Sequence, residues 1–191
     1  MITQWGYTIE ELDPIIDAET FNELTGDRWA DSPGLEQTLN AVSAAIRSFC
    51  GWHICPALDC TGNYTADGRV LILPTLSLNS VSTITNDGVE VEDYEIRRNG
   101  LVRRKCGWSD KWDSIYCKFN SGFEADALPQ LIQVVKQMAI NDLTAPGGVR
   151  QEQAGGVSIS YNANSAGQSG GVEVGPVEAQ LLAPFIRKEA V

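Results

Sequence analysis

Tyr94-Glu95-Ile96-Arg97-Arg98-Asn99-Gly100-Leu101-Val102-Arg103-Arg104 decides how the middle of this chain is read. An Asn-Gly pair between two short strand-like runs is the strongest local hairpin signal, because both positions of a tight two-residue turn need positive φ. Such a turn places Glu95 opposite Arg104 and Ile96 opposite Arg103. Outward from it, Arg69 to Phe119 continues as short strands and turns. Val70–Leu73 is an apolar run closed by Pro74. Val81, Thr83 and Thr85 alternate with Ser82 and Ile84, and Asn86-Asp87-Gly88 turns the chain into Val89–Val91. Ile115, Cys117 and Phe119 alternate with Tyr116 and Lys118 in a last strand, so the block predicts a small antiparallel sheet or half-barrel.

Helical patterns bracket this block. Asp17 to Leu24 predicts a short helix with Asp17 as N-cap and Gly26 beyond its end. A longer helix is predicted from Pro33 to Cys50, with Ser32 capping it, Pro33 in the first turn and Gly51 stopping it. Leu35, Leu39, Val42, Ile46 and Phe49 fall on one face, and Glu36, Gln37, Asn40, Ser43 and Arg47 on the other. Trp52 to Thr65 reads as irregular. A second long helix begins near Pro129 and ends before Pro146-Gly147-Gly148, with a stripe of Leu131, Ile132, Val135, Met138, Ala139 and Leu143 able to pack against the first.

Beyond Gly147 the chain is rich in Gly, Ser and Asn. Val157-Ser158-Ile159-Ser160-Tyr161 alternates like an edge strand, and Asn162–Gly171 has little to bury. Leu181, Leu182, Phe185 and Ile186 form an apolar anchor after this loose stretch, fit to dock on its own body or on another subunit. The predicted class is α+β: a small antiparallel helical body, an inserted antiparallel β module and an extended C-terminal arm. The expected divisions are 1–65 (N-terminal segment and first core helix), 66–123 (β module), 124–146 (second core helix) and 147–191 (tail).

The 191 residues carry a net charge of −11. Phosphate backbones recruit Lys and Arg, so this balance disfavours gripping nucleic acid. The acidity concentrates early: Glu10, Glu11, Asp13, Asp17, Glu19, Glu23, Asp27, Asp31 and Glu36 face only Arg28. No apolar run reaches the roughly 20 residues of a membrane span, and the start lacks a secretory pattern. A soluble protein made in a cytoplasm is expected, and its five cysteines, an odd count, are expected as free thiols.

Chemistry-bearing motifs are sparse. His53 is the single histidine; beside Cys50 or Cys55 it offers a thiolate–imidazole pair, yet a position just past a helix end suits a structural histidine equally. Cys50, Cys55 and Cys60 are spaced too evenly for the paired knuckles of a compact zinc site. Catalytic residues, metal and cofactor are all expected to be absent. Arg97, Arg98, Arg103, Arg104 and Lys105 gather positive charge around the hairpin, suited to a solvated tip, to an acidic surface on a neighbour, including the acidic N-terminal segment of another copy, or, less readily, to nucleic acid. Trp108 and Trp112 lie in a loop, where tryptophans serve as a lid over the sheet, sugar platforms or interface anchors.

Taken together, Phe49-Cys50-Gly51-Trp52, Val70-Leu71-Ile72-Leu73-Pro74, Leu78-Asn79-Ser80-Val81, Asp87-Gly88-Val89, Asp93-Tyr94-Glu95, the Arg-Asn-Gly-Leu hairpin, Gly122-Phe123 and Leu128-Pro129 follow one another in an order similar to the head-to-tail connector, or adaptor, proteins of long-tailed bacteriophages. Val157–Tyr161 and Leu182-Ala183-Pro184-Phe185 resemble that group's tail segment. The resemblance spans roughly residues 15–190. It implies a non-enzymatic virion protein of the neck, assembled in the host cytoplasm. Copies, twelve by analogy, would form a ring between the portal and a stopper or tail-completion protein. DNA would pass through without specific binding, and no membrane is involved. Another neck component, such as the stopper itself, is the alternative. The candidate interface residues are Leu181, Leu182, Phe185, Ile186, Arg97, Arg98, Arg103, Arg104, Trp108 and Trp112.

Overall fold

The computed structural model describes residues 1–124, 127–144, 151–154, 157–160 and 172–187. Two compact units divide the chain. One holds Met1–Leu12, Cys50–Ala127 and Phe185–Val191; the other holds Asp13–Phe49 and Leu128–Pro184. The class is α+β with antiparallel sheets.

The first unit contains strands β1 (Ile2–Gln4), β2 (Tyr7–Ile9), β3 (Leu58–Tyr64), β4 (Val70–Ile72), β5 (Leu78–Asn86), β6 (Val89–Glu90), β7 (Tyr94–Ile96), β8 (Leu101–Arg104) and β9 (Ile115–Ser121). A six-stranded sheet runs β1-β2-β3-β9-β5-β6, and a three-stranded sheet runs β4-β8-β7. Strand β9 is the spine. Its Ile115, Cys117, Phe119 and Ser121 are buried while Tyr116 and Lys118 are exposed, the period of two that a half-buried strand requires. It pairs with β3 from Leu58↔Ser121 to Tyr64↔Ile115 and with β5 on its other side. Register shifts between Leu78 and Ser80 and between Val81 and Thr83 mark bulges in β5. Leu71 and Val102 of the small sheet join Ile84, Cys117 and Phe119 of the large one in a single core.

This β unit draws on more of the chain than residues 66–123. Residues 2–9 supply two strands, and the expected irregular stretch 52–65 contains β3. Its Asp59, Gly62 and Asn63 hide the strand from a propensity reading; pairing with β9 makes it one.

Two hairpins end differently. Asn86↔Val89 pairing leaves Asp87 (φ 52°) and Gly88 (φ 79°) as a two-residue turn, as the sequence predicts. At Asn99-Gly100 the expected register is corrected. Glu95 pairs with Arg103 and Ile96 with Val102, while Arg97 N–H donates to the Leu101 carbonyl at 2.8 Å and Gly100 N–H to the Arg97 carbonyl at 3.1 Å. The loop is therefore three residues, Arg98 to Gly100, and only Gly100 of these takes positive φ, at 81°. The reason is tertiary. Leu73 N–H donates to the Gly100 carbonyl at 2.8 Å and Leu78 N–H to the Arg98 carbonyl at 2.7 Å, so the turn is stitched to the chain between β4 and β5 rather than projecting.

The second unit contains α1 (Ala18–Thr25), α2 (Leu35–Cys50, its last residue counted with the β unit), α3 (Pro129–Thr144) and α4 (Pro176–Leu182). Asp17 caps α1 by accepting from Thr20 N–H, and Gly26 closes it in the left-handed region. Helix α2 begins two residues later than expected. Gly34 sits at φ 87°, a break in helical backbone, and its carbonyl receives Thr38 N–H; it, not Ser32, occupies the cap. The buried face of α2 is also broader than its apolar stripe. Ser43 Oγ accepts from Ile15 N–H at 2.9 Å, and Arg47 Nη2 donates to the Asp13 carbonyl at 2.8 Å. The expected solvent-side Ser43 and Arg47 are thus buried under the segment holding Ile15 and Ile16, whereas Phe49 is 39% exposed. Thr38 Oγ1 donates to Asp142 Oδ2 at 2.9 Å and ties α2 to α3. Leu131, Val134, Val135, Met138 and Ala139 form the buried side of α3, and α4 packs on α3 with Leu182 fully buried.

Residues Val157–Ser160 form a strand, β11, but paired with β10 (Gln151–Ala154) in a separate hairpin. Tyr161 and the loose segment Asn162–Gly171 lie outside the described residues.

Two predictions follow from these turns and caps. A Cβ at Gly100 would lie 2.6 Å from the Leu73 carbonyl oxygen, whereas one at Gly68, also at positive φ, meets nothing within 4 Å. Gly68→Ala is expected to cost about 1 kcal/mol for the left-handed backbone alone, and Gly100→Ala at least about 2–3 kcal/mol more by overpacking, as read by urea unfolding. Asp17→Ala should cost about 1 kcal/mol at neutral pH. Hydrogen bonds from Thr20 lower the Asp17 pKa, so this stabilisation is present above the ordinary carboxylate pKa and is lost as pH falls through the lowered folded value. The wild-type and variant melting curves should therefore converge in acid.

Candidate functional site

His53, the single histidine, is fully buried and built into the β unit. Its Nε2 lies 2.9 Å from the Ser121 carbonyl and its Nδ1 2.7 Å from Tyr7 Oη. A carbonyl only accepts, so Nε2 carries the hydrogen and Nδ1 accepts the Tyr7 hydroxyl. The same hydroxyl accepts His53 N–H at 3.1 Å. Gly122, next to Ser121, leaves room for the ring: a Cβ there would lie 2.8 Å from Nε2 and 2.6 Å from the Pro56 carbonyl. Ser121 Oγ donates to Thr75 Oγ1 at 2.6 Å and extends the polar chain into the loop after β4. These contacts use the imidazole to join strands and keep it away from solvent.

The thiols follow suit. None of the five cysteines forms a disulfide, and Cys50, Cys55, Cys60 and Cys117 are buried. Burial pushes the thiols of Cys50, Cys60 and Cys117 up to about 12, opposite to the shift a thiolate nucleophile needs. Cys106 is exposed, and its hydrogen bond to Asp93 at 3.1 Å raises it as well. Among the described residues no group of three or more His, Cys, Asp or Glu side chains is arranged to hold a metal. No helix among them is long and apolar enough to cross a membrane.

The ten residues expected at interfaces divide by direction. Arg104 turns inward: Nε meets Asp93 Oδ1 at 2.8 Å, and the guanidinium stands 5.6 Å from the Trp108 ring centroid. Trp108 belongs to the core, the lid reading. Arg97, Arg98 and Arg103 are exposed. Trp112 is 87% exposed on a loop pinned by Lys111 Nζ to Asp87 Oδ1 at 3.0 Å and by Asp113 N–H to Thr65 Oγ1 at 2.9 Å. At the C-terminus, Leu182 is buried in its own chain and Leu181 is 39% exposed. Phe185 stacks edge-on to Phe123, its carbonyl accepts Trp52 Nε1–H at 2.7 Å, and Arg187 N–H donates to the Cys50 carbonyl. The arm thus docks on its own body through Leu182 and Phe185, and Ile186 is half-buried. The role of Arg47 in the second unit was missed by sequence reading; its place in a stripe of otherwise inward residues four apart (Ser43, Arg47) was the available signal.

The fold is similar to that of chains from gene transfer agent (GTA) particles. A chain from the neck of an empty GTA particle computed with C6 symmetry matches with a TM-score of 0.63 at 17% identity, covering 97% of each chain. One from the virion of a native gene transfer agent (GTA) particle matches at 0.57 and 17% identity, over 97% of this chain and 96% of that one. A third, from the neck of a native GTA particle computed with C12 symmetry, matches at 0.54 and 16%, over 95% of this chain and 98% of that one. A scan against protein-family models finds no match, and a comparison with curated sequences finds none. At these identities the likeness establishes the common fold over essentially the whole chain.

Cysteine accessibility gives a direct check on the site. In the native protein a maleimide reagent should modify Cys106 alone, and Cys106→Ser should abolish the reaction. All five thiols should react once the protein is unfolded. Fast native labelling at Cys50 or Cys55 would reopen a nucleophilic role.

Proposed function

We propose that this chain is a structural virion protein of the neck, a head-to-tail adaptor. Copies form a ring that receives the portal on one side and a stopper or tail-completion protein on the other, leaving a channel for DNA. The observation that carries this reading is the end-to-end fold likeness to neck chains of particles computed with C6 and C12 symmetry. The proposed role is non-enzymatic, with His53 and the buried thiols serving the framework. The net charge of −11 supports the channel role, since an acidic ring repels a passing duplex rather than holding it. Twelve copies follow by analogy with the adaptor group.

Within this reading the exposed members of the expected set make the contacts. Leu181, beside Ile186 on the C-terminal segment, is offered to the portal, and Trp112 is an anchor for the next component along the axis. Mixing the full-length chain with portal rings and measuring mass in the native state tests the role. A complex with a symmetric number of copies is expected, and Leu181→Asp should weaken it by at least about tenfold without lowering the melting temperature. A chain that ignores the portal but joins the tail side would be the stopper-type component instead. One that binds neither would end the neck reading.

A further inference from the structure

We infer that the solvent face of the β4-β8-β7 sheet is the docking surface for helix α1 and the turn after it in the next copy of this chain. The inference rests on the ring reading above and deepens it by naming the contact between neighbours.

Cross-strand register fixes which side chains share that face. Leu71, Val102 and Ile96 form one row across the sheet, and Leu71 and Val102 are fully buried in the core. Opposed residues point the same way and their neighbours the other way. The rows Val70–Arg103–Glu95 and Ile72–Leu101–Arg97 therefore face outward. Ile72 is 48% exposed on the β4 edge of this face beside Leu101, with exposed Arg97 across the sheet, Arg103 in the next row and Lys105 beyond it. Glu95 is the acid within the rows, and Glu92 and Asp93 line the groove along the β7 edge with Arg103 and Lys105. Asp93 is already held by Arg104. Among the described residues the ion pairs are Arg104–Asp93 and Lys111–Asp87, so Arg97, Arg98, Arg103 and Lys105 are left without carboxylate partners.

The complementary surface is on α1. Glu19 and Glu23 are one helical turn apart and exposed, Asp27 follows just beyond the Gly26 cap, and Leu24 is 42% exposed between them. Like charges four apart on a helix repel, and among the described residues no ion pair engages them, Arg28 beside Asp27 standing over the Trp29 ring. An exposed apolar side chain stands beside charge on each side: Ile72 near Arg97 and Arg103, and Leu24 near Glu23 and Asp27. A ring with cyclic symmetry needs a heterologous interface, meaning two different patches that complement each other on every copy. A cation-rich patch in one unit and an acid-rich patch in the other meet that need.

The test uses the full-length chain alone, so it does not depend on the portal. Native mass spectrometry and sedimentation at low and high salt read association. The wild type should self-associate at low salt and dissociate as salt rises. R97E/R103E/K105E should lose association by at least about tenfold, with unchanged circular dichroism and melting. Adding E19K/E23K/D27K to the same chain should restore it. A wild type that stays monomeric at low salt overturns the contact, as does a cation-reversed variant that associates normally or a charge swap that does not rescue. The neck reading survives all three, because portal binding is measured separately. Capture of duplex DNA that is lost in R97E/R103E/K105E, with association unaffected, would reassign the face to nucleic acid and overturn the inference.

Discussion

A single buried imidazole holds the β unit together. His53 receives the Tyr7 hydroxyl from β2 and donates to the Ser121 carbonyl at the end of β9, and that serine's hydroxyl reaches Thr75. Four stretches far apart in sequence meet in one hydrogen-bonded chain with no access to water. A buried polar group left unsatisfied costs about 1–3 kcal/mol, so the strands on either side are constrained to arrive in one register. The aromatic rings reinforce this: Tyr7 meets both His53 and Phe119 edge-on, at centroid separations of 5.5 and 6.1 Å. The residue best equipped for catalysis is thereby committed to architecture.

What remains on the outside is suited to contact rather than chemistry. Side chains with anchoring chemistry were drawn inward where the fold needed them, as with Arg104 over Trp108 and Leu182 on α3. Those left outside are Arg97, Arg98, Arg103, Trp112 and Leu181. A chain whose charges are segregated into separate patches gains specificity from its neighbours. Electrostatic complementarity sets register and partner choice more than raw affinity, which is what the proposed ring of identical copies requires.

Legibility in the sequence tracked how local each signal was. Asp17 and Gly26 cap α1 as read, because a cap is satisfied within a few residues. Asp87-Gly88 gives the expected tight turn. The β9 alternation survives, as does the α2 stripe through Leu35, Leu39, Val42 and Ile46 but not Phe49, since burial of one face stabilises either element. By contrast, strand β3 carries Asp59, Gly62 and Asn63 and becomes a strand only through its partner β9. Ser43 and Arg47 looked solvent-facing until the backbone of Asp13–Ile15 supplied their partners. Among the expected interface residues, direction was invisible beforehand: nothing in Arg103-Arg104 says which of two adjacent arginines points out.

The sequence by itself determined the α+β class, the two long helices, the strands from Val70 to Phe119 and the segregation of charge along the chain. These follow from periodicity, capping and composition, which act over a few residues. Only the tertiary structure decided the register of the Asn99-Gly100 hairpin, the recruitment of residues 2–9 to the sheet and the self-docking of Phe185. The hairpin shows why. Its turn can close with two loop residues or three at similar local cost, and a one-residue slip exchanges the two faces of the strand. The hydrogen bonds from Leu73 and Leu78, distant in sequence, select one closure and with it the side chains that meet solvent.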